Sequence, residues 1–403
     1  MLSTDIDYEN LLSDVGRGLR SNAIRKLTAL LGKREVISLA AGAPSADTLP
    51  IPELAEIASR VILERGKFAL QYGPTRGQGT LVEGVLEILR GRGLTDANAS
   101  EVIMTSGSQQ GLDLVARILL SPGEVALVEL PSYIGGLIAL NNTGAELVGV
   151  KQDEEGINPS DLREKIQVLR ERGRRVKCIY TIPNFQNPSG VTLSEPRRRE
   201  LVQIADDFDL LIIEDDAYFD LYFDEKSRST PIAAMCPERV IYLGTFSKVL
   251  APGLRAAYLK APKPIAAKVE RAKEGADLSS SVLDQAIVAE SIRLGLIETR
   301  LDSLREFYRV RRDAMLSSLE RFAPRGSHWT RPAGGFFILL TLAEGIDSEQ
   351  MLETAIERGV AYVPGESFFV DGCGKNTVRL AYSKESPDRI ADGVELMCRV
   401  FLG

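Results

Sequence analysis

The stretch Val240-Ile241-Tyr242-Leu243-Gly244-Thr245-Phe246-Ser247-Lys248-Val249-Leu250-Ala251-Pro252-Gly253-Leu254-Arg255 joins an unbroken apolar run to a lysine. Apolar residues without alternation mark a strand buried on both faces. A lysine at the end of such a strand is unfavourable unless its amine is used. One use is a Schiff base with an aldehyde cofactor, with nearby hydroxyls and Arg255 holding a phosphate. The plainer alternative is a surface loop with a solvated lysine.

Outward from this stretch, the chain alternates. Strand-like runs at 102–105, 125–128, 145–150, 176–182, 210–213, 240–243 and 256–259 are interleaved with helical stretches at 108–120, 134–141 and 195–208. The pattern predicts an α/β fold: a large domain with a mostly parallel sheet covered by helices. Beyond Pro264 the pattern changes. Helical stretches at 283–294 and 298–322 are followed by strand-like 335–342, helical 348–358, strand-like 378–382 and helical 388–401. These predict a smaller α+β domain formed by the C-terminus and the N-terminal segment. The expected division is 1–45 packing on the small domain or a partner subunit, 46–295 as the large cofactor-binding domain, and 296–403 as the small domain. No repeat or low-complexity linker separates them, so a site in the cleft between them is expected.

Composition narrows the function. The 403 residues carry 49 Lys and Arg against 56 Asp and Glu, a net charge of −7, which argues against a general nucleic-acid binder. The four cysteines, Cys178, Cys236, Cys373 and Cys398, show no paired spacing, so neither a disulfide framework nor a metal site is expected. With one histidine, His328, in a Gly/Ser/Trp turn, a Ser-His hydrolase triad is disfavoured. Residues 1–10 are acidic and polar, and no apolar run approaches the ~20 residues of a membrane span. The expected setting is cytoplasmic, with no membrane partner.

Four segments fall at strand ends, and ligands in open α/β sheets gather at the C-terminal edge. In Ser106-Gly107-Ser108-Gln109-Gln110-Gly111, glycines admit an anion to the backbone, Ser108 can cap the helix, and first-turn N–H groups bind phosphate. Pro183-Asn184-Phe185-Gln186-Asn187-Pro188-Ser189-Gly190 is too rich in turn formers for a strand, and an amide there can donate to a phenolic oxygen. In Glu214-Asp215-Asp216-Ala217-Tyr218 a carboxylate can keep a pyridine nitrogen protonated, while Tyr218 reaches the other side of the ring. Thr245, Ser247 and Arg255 complete a phosphate cup with Ser108 around the Lys248 turn. Singly, these read as a capped helix, a loop, a helix cap and a solvated lysine. Together they are what pyridoxal 5'-phosphate requires.

In this order and spacing the segments resemble fold-type I pyridoxal phosphate-dependent aminotransferases of class I/II, nearest the 2-aminoadipate/kynurenine aminotransferase-like group. The likeness runs from about residue 21 to the C-terminus. It includes Ser21-Asn22-Ala23-Ile24-Arg25, Ile37-Ser38-Leu39-Ala40-Ala41-Gly42-Ala43-Pro44, Leu70-Gln71-Tyr72-Gly73-Pro74 and Gly107-Ser108-Gln109-Gln110-Gly111. It continues through Pro131-Ser132-Tyr133, Asn187-Pro188-Ser189-Gly190, the acidic segment, the lysine segment, and Val378-Arg379-Leu380-Ala381-Tyr382. The resemblance implies that Tyr133 stacks on the ring, and that Asn187 and Tyr218 bond its oxygen. Ser108, Thr245, Ser247 and Arg255 would hold the phosphate, Gln109 would also bind the cofactor, and Arg379 would take the substrate α-carboxylate. Gly42 would pass close to the substrate, Tyr72 would reach the cofactor of a partner subunit, and Arg25 would meet the far end of the substrate. Thr245 stands where serine is common, Ala41 where glycine is frequent, and Ala256-Ala257 where Leu-Gly is common.

The implied activity is transfer of the amino group of an L-amino acid, glutamate, 2-aminoadipate or a broader range, to a 2-oxo acid such as 2-oxoglutarate. It would follow a ping-pong course in a homodimer with shared sites. Lys248, Asp215 and Tyr218 would be the catalytic residues. Lyase, cyclase or decarboxylase chemistry on the same fold stays open. A regulatory aminotransferase-like effector domain is disfavoured, because too few residues precede the matched region for a DNA-binding module.

Overall fold

The computed structural model describes residues 6–18 and 36–402. Its largest sheet has eight strands in the order β2-β9-β8-β7-β6-β3-β4-β5. These are β2 (Val102–Thr105), β3 (Val125–Leu130), β4 (Glu146–Asp153), β5 (Gly156–Ile157), β6 (Val176–Thr181), β7 (Leu211–Asp215), β8 (Val240–Thr245) and β9 (Ala257–Lys260). Strands β4, β3, β6, β7 and β8 are parallel neighbours. Successive residues of β3 serve two cores: Val125 and Leu127 pack on one side of the sheet, Ala126 and Val128 on the other. That is why the strand is apolar without alternation.

Strand β9 departs from the parallel run. It lies antiparallel to both β8 and β2. The short connection after β8 is folded into the lysine turn and a 3-10 turn, Pro252–Leu254, and contains no crossover helix; a parallel return would need one. Thr245 and Ala257 are therefore register partners, and the lysine turn bulges from the sheet's edge between them.

The C-terminal part is built on an antiparallel sheet, β10-β11-β14-β13, with β10 (His328–Trp329), β11 (Phe337–Thr341), β13 (Val363–Pro364) and β14 (Thr377–Ala381). The N-terminal strand β1 (Ile37–Ser38) pairs in parallel with β12 (Val360–Ala361). Helix Pro387–Leu402 closes over it at Gly393, where a Cβ would sit 2.7 Å from the Ile37 side chain. The long helix Leu301–Phe322 contacts both parts: Arg305 donates to the Asp220 carbonyl at 2.9 Å, and Arg312 to that of Pro332 at 2.6 Å.

Helices outside the sequence expectation include Ile51–Ala69, Gly79–Gly91 and Lys263–Asp277. The first buries only Ile57, Val61 and Ala69 while exposing Ile51, Ile62, Leu63 and Phe68, so its apolar residues trace no single face. The third begins beside Pro264, which reads as a break but sits in the first turn, where proline's missing N–H leaves no bond unmade. Among the described residues no helix is long and apolar enough to cross a membrane.

Candidate active site

The ends of β3, β6, β7 and β8 meet the segment 41–44 and β14 around a cavity of about 400 Å³. Its wall includes Ser108, Gln109, Tyr133, Asn187, Asp215 and Tyr218. Thr245, Ser247, Lys248, Arg255, Arg379 and Gly42 complete it. Of the residues predicted from sequence, two are absent from this wall. Tyr72 is 81% exposed on the surface of its own chain. Arg25 lies outside the described residues.

The lysine turn is anchored at both ends. Phe246 is buried against Tyr258, and the Thr245 hydroxyl accepts from Ser247 N at 3.2 Å while donating to the Ser247 hydroxyl at 3.0 Å. Lys248 is thereby aimed into the cavity, where Nζ donates to the Gly42 carbonyl at 3.3 Å and lies 5.6 Å from the centres of the Tyr218 and Phe336 rings. Burial pushes the amine down to about 8; Asp215 opposes this, and cationic Arg379 and Arg255 add to it. In the cofactor-free protein this penalty is present in full below about 8 and fades as pH rises toward the ordinary 10.5. The unfolded lysine binds more protons in that window, so stability rises with pH. Cofactor-free wild type is therefore expected to gain stability as pH rises through the window, by at most about 1.4 kcal/mol per pH unit, while Lys248→Met shows no such rise. Parallel urea-unfolding stabilities would show that the amine is not held near neutrality.

Arg255 adopts a left-handed backbone, φ 46°, and its guanidinium lies along the backbone at 106–107. A Cβ on Gly107, φ +85°, would sit 2.1 Å from its Nη2, so glycine is required there. This corrects one expectation: Gly107, and not Ser108, is the cap residue of helix Ser108–Leu119, and no side chain accepts from the first turn. Ser108 occupies the first helical position, and its hydroxyl faces the cavity beside those of Thr245 and Ser247.

The three consecutive acids at the end of β7 do different work. Glu214 accepts from Ile232 N and Ala233 N, both at 2.8 Å, and caps the short helix Ile232–Met235. Asp216 accepts from Asn184 at 2.7 Å and Tyr242 at 2.9 Å. Only Asp215 reaches the cavity. The Tyr180 hydroxyl donates to its Oδ2 at 3.0 Å, while its buried Oδ1 has no hydrogen-bond partner among the described residues. Burial raises this carboxyl to about 6, against the Tyr180 hydrogen bond. Tyr180 escapes sequence reading because it looks like one more strand residue; the available signal is that a buried tyrosine hydroxyl needs a partner. Gly136 makes room for it, since a Cβ there would lie 2.5 Å from the Tyr180 hydroxyl oxygen.

On the opposite wall, Arg379 is 2% exposed, stacked near Phe337 and Phe368. It donates through Nη1 to Asn187 Oδ1 at 3.2 Å and through Nη2 to the Ala40 carbonyl at 2.7 Å. Its Nε is buried without a partner among the described residues. Burial lowers the guanidinium to about 10, so it stays cationic at neutral pH. Because Asn187 Oδ1 is engaged, the Asn187 amide group has its N–H donors left for another acceptor. Burial raises the Tyr218 and Tyr133 phenols, which keeps both protonated and able to donate.

The wall thus offers a near-neutral amine, a buried acceptor oxygen, two ring-edge donors, and a cation with three hydroxyls. This set fits pyridoxal phosphate: an aldehyde, a pyridine N–H, a phenolic oxygen and a phosphate. A family model described as aminotransferase class I and II matches residues 34–394. The chain is 41% identical over 391 residues to the aromatic-amino-acid aminotransferase 1 of Thermococcus litoralis, covering 97% of this chain and 94% of that one. It is similar to the kynurenine aminotransferase of Pyrococcus horikoshii, solved with PMP (39% identity, TM-score 0.94, 98% of each chain). It is also similar to the α-aminoadipate aminotransferase of Thermus thermophilus, solved with N-(5'-phosphopyridoxyl)-L-leucine (37% identity, TM-score 0.91, 99% of each chain). With this cofactor chemistry in its relatives and a matching wall of its own, the chain belongs to the class I and II aminotransferases and is a pyridoxal phosphate-dependent transaminase.

Proposed function

We propose that the enzyme takes the amino group of an L-amino acid, with glutamate, 2-aminoadipate and aromatic acids as candidate donors, and gives it to a 2-oxo acid such as 2-oxoglutarate in two ping-pong half-reactions. One observation carries this reading: Lys248 Nζ, the unpartnered Asp215 Oδ1 and the unpartnered Arg379 Nε belong to walls of the same cavity. Bound there, pyridoxal 5'-phosphate supplies an aldehyde for the amino group and a ring that accepts electrons from the α-carbon.

The side chains divide the remaining work. Lys248 would anchor the aldehyde, and its free amine, near 8, is poised to move the α-proton as a general base. Asp215 would accept the ring N–H through Oδ1, while Tyr180 fixes Oδ2. Asn187 and Tyr218 would donate to the ring oxygen, and Tyr133 would cover the ring face. Ser108, Thr245, Ser247 and Arg255 would hold the phosphate, with Gln109 beside them on the cavity wall. Arg379 takes the substrate carboxylate with the donors that Asn187 and Ala40 leave over. Gly42 keeps the substrate's path narrow: a Cβ there would lie 2.5 Å from the Phe337 ring.

The reading extends to a cytoplasmic homodimer, without nucleic-acid or membrane partners, in which Tyr72 reaches the partner's cofactor. Exposed Leu63, Phe68, Leu70 and Tyr72 on and after helix Ile51–Ala69 support a subunit contact. The four free cysteines suit a reducing compartment. Working bodies of 46–295 and 296–403 are part of this reading; the β1–β12 pairing supports packing of the end of the 1–45 segment on the second, while residues 1–5 and 19–35 of that segment lie outside the described residues.

The test is the absorbance spectrum of the cofactor-loaded enzyme before and after L-glutamate alone. Conversion of the yellow band to the pyridoxamine band is expected, and repeats with 2-aminoadipate, leucine and phenylalanine rank the donors. A band that none of these moves would overturn transamination of such donors in favour of another reaction on this fold.

A further inference from the structure

Glu129, the penultimate residue of β3, is 1% exposed and is absent from the cavity wall. Three donors converge on it. Oε1 accepts from the Thr181 hydroxyl at 2.7 Å; Oε2 accepts from Ile182 N at 3.1 Å and from Gln186 Nε2 at 3.0 Å. No lysine or arginine forms an ion pair with it among the described residues.

Gln186 is the other half of the device. It is fully buried, and each of its polar groups is engaged. Nε2 donates also to the Pro131 carbonyl at 2.7 Å, and Oε1 accepts from Ser189 N and the Ser189 hydroxyl, both at 2.8 Å. Its backbone N donates to the Val191 carbonyl at 2.9 Å, and its carbonyl accepts from Gly190 N at 2.6 Å. The side chain of Gln186 therefore ties both sides of a tight loop whose next residue is Asn187. Asn187 is the residue that gives Oδ1 to Arg379 and keeps its N–H donors for the cavity.

We infer that Glu129 is a positioning residue: through Gln186 it fixes the loop that sets the direction of the Asn187 amide, without itself touching substrate or cofactor. The inference rests on the proposed role of Asn187 at the ring oxygen. It assigns the work to geometry and not to the carboxylate's charge. A glutamine at 129 preserves the geometry, because its carbonyl can accept from Ile182 N and Gln186 while its amide donates to the Thr181 hydroxyl, which reverses. An aspartate keeps the charge but is one methylene too short to reach all three donors.

The experiment compares Asn187→Ala, Glu129→Gln, Glu129→Asp and Glu129→Leu as cofactor-loaded enzymes. The readouts are the pH midpoint of the visible absorbance change without substrate, then kcat and KM for glutamate. Asn187→Ala is expected to move the midpoint. Glu129→Asp and Glu129→Leu should move it in the same direction and lower kcat by roughly ten- to a hundredfold. Glu129→Gln should keep the wild-type midpoint. A wild-type midpoint in Glu129→Asp would overturn the inference alone, and it decides the matter if Glu129→Leu does not fold. A midpoint shift in Glu129→Gln with none in Glu129→Asp would overturn it in favour of charge, and equal shifts in both would overturn the assignment to a geometry that glutamine preserves. An unmoved midpoint in Asn187→Ala would overturn the reading of Asn187, and the inference with it.

Discussion

Lys248→Ala is expected to yield a folded protein that binds pyridoxal phosphate without a covalent link and has almost no turnover. The turn carrying Lys248 is held by Phe246, Thr245 and Ser247, none of which needs the lysine side chain, so the fold should survive. The amine is the group on this wall that both bonds an aldehyde and carries a proton near neutrality. Loss of a positioned base alone slows a reaction by about 10²–10⁴-fold, and here the covalent anchor goes as well. Borohydride treatment should fix the cofactor to wild type at Lys248 and leave the variant unlabelled. Lys248→Arg should fail in the same way, because a guanidinium remains protonated. Turnover comparable to wild type in either variant would remove Lys248 from the chemistry.

Asp215→Asn should preserve the fold and cut the rate at least a hundredfold, about 2.7 kcal/mol of barrier. Asparagine can still accept from Tyr180, but it carries no negative charge to keep a ring nitrogen protonated. Stability separates this from simple damage. The folded carboxyl, raised to about 6 from an ordinary 3.8, holds its proton more tightly than the unfolded one. Stability is therefore lost as pH rises between those values, and above about 6 the buried charge is a net penalty. A neutral amide escapes that penalty, so the cofactor-free variant should unfold at pH 7 at no lower urea concentration than wild type. A rate loss below tenfold, about 1.4 kcal/mol, would show that Asp215 is not the ring partner.

Residues that act through what they present to a ligand were legible in the sequence. Lys248, Asp215 and Arg255 follow apolar runs in which a charge has no packing reason to exist, and all three reach the cavity. Residues that act through what they hold were not. Tyr180 and Glu129 lie within or at the ends of strands that read as ordinary core, and their roles arise from neighbours distant in the chain. The acidic triplet shows the same limit. Glu214 and Asp216 carry carboxyl groups as Asp215 does, yet the β-strand's alternation and the local turn send them to a helix cap and to Asn184. In the fold, periodicity located the sheet but not β9's direction, which is set by the length of the lysine connection. Nor did it find helix Ile51–Ala69, whose exposed apolar residues blur its amphipathic face.

The segment Ala40-Ala41-Gly42-Ala43 offers carbonyls as acceptors to the surrounding side chains. Arg379 donates to Ala40, Ser383 to Ala43 at 2.7 Å, and Lys248 to Gly42. Three of these four residues are already alanine, so an alanine scan passes over the segment blind. Its hydrogen-bonding contribution belongs to the main chain. Replacing an amide by an ester along this stretch, which weakens a carbonyl acceptor while leaving every side chain in place, is the kind of atomic edit that can make the segment visible.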